Sequence, residues 1–171
     1  MKPLFALAVL SLLAGPAAAE PALSAAMQPL SFLVGHWTSL GGKAEGGRTA
    51  TGVTSIEPAA GGAALLRRDR TDLSGAGGKG GSSFEQVMLI YPEGGTLHGD
   101  YFDGEHVIHY ISATVVPGKS VSFDTADVPG PPRFRLTYTA EGADKLAVKF
   151  EMKPPGAPAY QTIAAGEKTR D

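Results

Sequence analysis

Apolar side chains recur at every second position in this chain, in about ten short runs. The clearest is residues 145–153, where Leu146, Val148, Phe150 and Met152 fall on one face and Lys145, Ala147, Lys149 and Glu151 on the other. A period of two belongs to an extended strand with one buried face. Similar runs occupy residues 36–40, 49–57, 64–71, 84–91, 96–102, 105–116, 120–125, 133–139 and 160–169. Glycine, proline and aspartate separate them, residues that build turns rather than the interiors of elements. Only residues 29–35 read as a helical turn. Strands joined by such short connections form an antiparallel meander, and closing the meander removes its two unpaired edges. The expected fold is all-β: an antiparallel up-and-down β-barrel of about ten strands with a short N-terminal helical turn.

The first 19 residues stand apart from this pattern. Lys2, the apolar run 4–13 and the small residues Ala17, Ala18 and Ala19 form the three regions of a secretory signal peptide. The apolar run is too short for the roughly 20 residues that a membrane-spanning helix needs. Cleavage after Ala19 is expected, leaving residues 20–171 as a single periplasmic or secreted domain. A chain of about 150 residues can bury about 70% of its unfolded surface. The chain has no cysteine, which excludes thiolate catalysis, zinc–cysteine sites and a lipid anchor on an N-terminal cysteine. With a formal net charge of −2 and no basic stripe, nucleic acid is not an expected partner.

Several short motifs match chemistry in letters only. Residues 75–80, GAGGKG, fit the glycine spacing of a dinucleotide loop, but a strand-like run follows where that site needs a helix. Gly118-Lys119-Ser120 lacks the upstream glycine of a phosphate loop, and Asp103-Gly104-Glu105 lacks the remaining ligands of a calcium loop. No G-x-S-x-G elbow is present.

Residues 98–110 hold three of the four histidines. Asp103-Gly104 between apolar and aromatic residues signals a two-residue hairpin turn. That turn sets Phe102 opposite Glu105, Tyr101 opposite His106 and His98 opposite His109. One face then carries Leu97, Gly99, Tyr101, His106, Ile108 and Tyr110, and is expected to line the barrel interior. The other carries His98, Asp100, Phe102, Val107, His109 and Ile111. His98, His109 and Asp100 could make a two-histidine, one-carboxylate metal site, or simply a solvated polar face.

Residues 30–37, LSFLVGHW, lead a helical turn into Gly35-His36-Trp37 on the first strand. This resembles the opening of lipocalins and other calycin-like barrels. The chain from Leu30 to Arg170 also resembles a bacterial secreted family of unknown function with such a barrel. The resemblance implies that Trp37 closes the barrel base against an arginine of a late strand, here Arg170. Nitrobindin-type haem barrels are a more distant resemblance. Their haem histidine lies late in the chain, whereas no histidine follows His109 here, so haem is not expected by that route.

These readings lead to a secreted or periplasmic barrel that binds a small, largely apolar molecule. Ala64, Gly99, Ser112 and Ala113 are small interior candidates that would leave room for it, and Tyr101, His106 and Tyr110 would supply polar contacts, with the ligand's head near His106. No reaction is assigned, no cofactor is expected, and neither haem nor a divalent metal has support. Two other readings stay open: a metal-assisted enzyme using the His98–Asp100–His109 face, and a filled barrel acting as a protein-interaction module.

Overall fold

In the computed structural model, which describes residues 21–75 and 80–171, ten antiparallel strands close into one barrel. They are β1 (Gly35–Ala44), β2 (Arg48–Ala59), β3 (Ala64–Ser74), β4 (Gly81–Glu93), β5 (Thr96–Phe102), β6 (Val107–Val116), β7 (Ser120–Thr125), β8 (Arg133–Ala140), β9 (Lys145–Lys153) and β10 (Gln161–Arg170). Each strand pairs with its neighbours in sequence, and β10 returns to pair with β1, the up-and-down order expected from the meander. Among the described residues the helical content is three short 3-10 segments, Gln28–Leu33, Glu45–Gly47 and Ala60–Gly62. The expected signal peptide, 1–19, and the centre of the glycine-rich stretch, 76–79, lie outside the described residues.

Strands β5, β7 and β9 coincide with their expected bounds. The β3–β4 hairpin runs further than expected, its ladder continuing to Ser74 opposite Gly81. Ser82 and Ser83 sit near the open end of the barrel, where a strand face meets solvent and no apolar alternation is required.

The β5–β6 hairpin corrects the expected register. Phe102 faces Val107, Tyr101 faces Ile108, Asp100 faces His109 and Gly99 faces Tyr110. The turn is four residues long because the Asp103 carboxylate accepts the backbone N–H groups of Glu105 (3.0 Å) and His106 (2.7 Å), holding both outside the ladder. The slip is two residues, so the side-chain parity of both strands is kept and only cross-strand partners change. A second irregularity follows, where the β6–β7 register shifts between Tyr110 and Ser112. The bulge brings Ala113 onto the core and leaves Ser112 exposed, which corrects the interior placement of Ser112.

One end of the barrel, its base, is plugged. The Gln28–Leu33 turn buries Leu30 and Leu33, with Met27 just before it, against Trp37, Ile56, Leu65, Ile90, Val121 and Leu146. Trp37 is buried, and its indole N–H donates to the Leu33 carbonyl at 2.9 Å. On the paired strand Arg170 stands directly opposite Trp37, its guanidinium 4.1 Å from the indole ring centre. The same guanidinium donates to the backbone carbonyls of Val34 and Phe32, tying the plug to the last strand. Gly35 is required beneath it: φ is +141°, and a Cβ there would lie 2.2 Å from Arg170 Nη1.

Arg170→Ala removes the cation over the indole and two carbonyl bonds, and should cost about 1–3 kcal/mol. Chemical denaturation followed by the emission of Trp37, the single tryptophan, reads this directly. An unchanged midpoint and unchanged native emission would show that the guanidinium does not hold the base.

Candidate functional site

Above the base the barrel interior is not filled. A cavity of about 480 Å³ opens toward the end that carries Glu45–Gly47 and the 103–106 turn. Leu73, Phe84, Leu136, Val148, Phe150 and Ile163 give its walls an apolar surface. Its floor is polar. Arg67, Asp69 and Lys168 line it: on β3, Arg67 and Asp69 follow the base residue Leu65 in successive layers, and on β10 Lys168 lies one layer above Arg170.

Strand period places these three inside. On β3 the inward residues are Leu65, Arg67 and Asp69, and on β10 Lys168 lies two residues from Arg170. Arg67 Nε pairs with Asp69 Oδ2 in a buried salt bridge, Nη1 donates to the Tyr138 hydroxyl at 2.6 Å, and Nη2 donates to Gln86 Oε1 at 3.3 Å. Asp69 Oδ1 accepts from the Thr54 hydroxyl and from Lys168 Nζ at 3.4 Å, while Lys168 also donates to Thr54. Buried charges persist when paired and hydrogen-bonded in this way.

The network sets its own protonation. Burial alone would raise the Asp69 carboxyl, but the charges of Arg67 and Lys168, with the bonds from Thr54 and Arg67, hold it below its ordinary value. Burial works against the Arg67 cation, yet Asp69 keeps it above its ordinary value. The Lys168 ammonium is lowered by burial, with Asp69 opposing. Burial pushes the Tyr138 phenol up to about 12, and raises Tyr101 and Tyr110 as well.

The expected ligand contacts Tyr101, His106 and Tyr110 all line this cavity, at different depths. Tyr110 is buried. Tyr101 donates to Asp103 at 3.2 Å nearer the mouth. His106 stands at the rim with its side chain 70% exposed, Nδ1 lying 3.3 Å from Asp103. The polar groups at depth are therefore Arg67, Lys168 and Tyr110, and the position expected for a ligand's head beside His106 is the entrance.

The expected metal trio lies on the outer wall and does not converge. His109 Nδ1 is 2.7 Å from Asp100, which also accepts from the Tyr91 hydroxyl at 3.0 Å. His98 instead stacks on Tyr91 and faces Glu93 at 3.7 Å. The two-residue slip of the hairpin separates the histidines, because it gives His109 to Asp100. Among the described residues no three His, Cys, Asp or Glu side chains group as metal ligands.

Sequence reading missed Arg67, Asp69 and Lys168. In residues 65–70 both faces begin with leucine and continue with charge, so the run gives no inward parity. Lys168 carried a usable signal, since it shares the parity of Arg170, the residue assigned to the barrel base.

Asp69→Asn leaves two cations buried without their counter-charge and should destabilise the fold by about 3–5 kcal/mol. Replacing Arg67, Asp69 and Lys168 together by Met, Leu and Met should restore most of that loss. In the native protein, Asp69 has a folded pKa below its unfolded one. Its contribution is complete above about pH 4 and is lost as pH falls toward the folded value. Denaturation midpoints measured from pH 7 down to pH 2 should fall more steeply in the native protein than in the triple variant, which keeps only the acid loss from other lowered carboxyls such as Asp103.

No protein-family model and no curated protein matches the chain. Among solved structures, the structure of EF1p2_mFAP2b bound to DFHBI is similar, at 12% identity over 85% of this chain and 99% of that chain, with a TM-score of 0.47. At that level of similarity neither family membership nor a ligand carries over to this chain.

Proposed function

We propose that this chain is an exported, calycin-like binding protein that holds a small, largely apolar molecule inside its barrel. The observation that carries the reading is the cavity of about 480 Å³ between the mouth and the polar floor. Small-molecule sites are concave, of about 300–1,000 Å³, mostly apolar, with a few placed polar groups. The walls and floor described above have that composition. The base, plugged by Met27, Leu30, Leu33 and Trp37, leaves the opposite end as the entrance, where Tyr101, Asp103 and His106 form part of the rim. Export rests on the leader read in residues 1–19.

An environment-sensitive neutral apolar dye should bind the native protein with enhanced emission at one site per chain. Val148 lines the apolar wall of the cavity, on β9 beside Gly166 of β10. Val148→Trp should fill the cavity there and weaken dye binding by tenfold or more while the β-type circular dichroism is retained. Equal binding by the variant, or none by the native protein, would favour a barrel that works only through its outer surface. Intact-mass measurement of the exported protein should give a chain beginning at Glu20; a retained leader would remove export from the reading.

A further inference from the structure

The geometry points to a ligand with one monoanionic head of the carboxylate class, seated at the cavity floor against Lys168, Arg67 and Tyr110, with its apolar body toward the mouth. This rests on the small-molecule reading and adds the chemistry of the head.

The first support is charge. The floor holds two cations, Arg67 and Lys168, and one anion, Asp69, so the ionised set carries an excess of one positive charge. An uncompensated charge in a low-dielectric interior is costly, and a bound monoanion would balance it. A dianion would reverse the imbalance rather than remove it.

The second support is the hydrogen-bond inventory. A guanidinium has five N–H donors and an ammonium three. Arg67 holds Nε against Asp69 in the ion pair, directs two N–H groups to Tyr138 and the Met88 sulfur and one to Gln86, which leaves one on Nη2. Lys168 directs two to Thr54 and Asp69, leaving one. The Tyr110 hydroxyl has no hydrogen-bond partner among the described residues, although the side chain is 98% removed from solvent and lines the cavity. On the acceptor side Asp69 is already engaged: its side chain is only 2% exposed and both oxygens are taken by Arg67, Thr54 and Lys168. The floor therefore offers three spare donors. A carboxylate, which only accepts and has two oxygens with about four lone-pair sites, suits that set. A cationic or donor-only head does not.

The third support is the wall. Leu136, Val148 and Phe150 rise from the floor toward the mouth, and they give an acid's apolar body a surface that an inorganic anion would leave unused.

The test uses the full exported chain with the neutral dye bound, titrated with decanoate, decanol and decylamine. Decanoate should displace the dye at least tenfold more effectively than decanol, and decylamine least of all. Lys168→Met leaves Arg67 and Asp69 as a balanced pair, and should weaken decanoate tenfold or more while dye and decanol stay within twofold. Tyr110→Phe, which keeps the buried ring, should weaken decanoate severalfold and spare decanol. Equal displacement by the three probes, no displacement by any, or equal losses for decanoate and decanol in both variants would overturn the anionic head and leave the apolar cavity standing. Absence of dye binding in the folded native protein would overturn both readings.

Discussion

The ladder between β1 and β10 is the constraint on which the rest depends. A ten-stranded meander has two edges, each with a row of unpaired N–H and C=O groups, and this ladder satisfies both at once. Its closure demands close backbone contact. A Cβ on Gly166 would lie 2.9 Å from the Gly42 Cα, and one on Gly42 would lie 3.0 Å from the Ala165 carbonyl oxygen. Next to that contact, β1 shifts register against both of its neighbours between Ser39 and Lys43. An irregular strand bends and twists more strongly, which helps the sheet turn back on itself. The seam is then fixed at the base, where Trp37 and Arg170 stand opposite one another.

Closure divides the interior into two parts with different physics. Toward the base, buried aliphatic side chains, Trp37 and the 3-10 plug leave no room, and stability comes from apolar burial. Above them lie the ion pair of Arg67 and Asp69 and the Lys168 ammonium. Such a network is a poor source of stability, because desolvating the ions offsets much of their attraction. Its position at the floor of an open cavity gives it another value: it holds positive charge and spare donors in a fixed arrangement before any ligand arrives. Pre-arranged polar groups reduce the ordering cost of binding.

The outer wall has its own organisation. Val87, Phe102 and Val107 are exposed neighbours on three consecutive strands, with Leu89 and Ile111 close by. The histidines of the 98–110 stretch belong to this side or to the rim: His109 is engaged by Asp100, His98 by Tyr91 and Glu93, and His106 by Asp103. Each is matched to a partner in its own hairpin or the adjacent strand. The density of polar residues in that segment is thereby accounted for by local pairing.

The sequence by itself determined the approximate strand positions, the up-and-down order and the faces of β5 and of β6 up to its bulge, because period-two alternation and turn residues are local properties of the chain. It pointed to Trp37 through a motif, to Arg170 through the resemblance that motif carries, and to Tyr101 and Tyr110 through the interior face of one hairpin. Only the tertiary structure decided the register of that hairpin, since the Asp103 side chain, and not the backbone pattern, set the turn length. It also decided that Arg67, Asp69 and Lys168 meet inside. Charged residues on a strand read as solvent-facing until a partner from another strand is known, and Lys168 lies 99 residues from Asp69 along the chain. The cavity has the same origin: it is the volume left among side chains of many strands, and no single run of sequence encodes it.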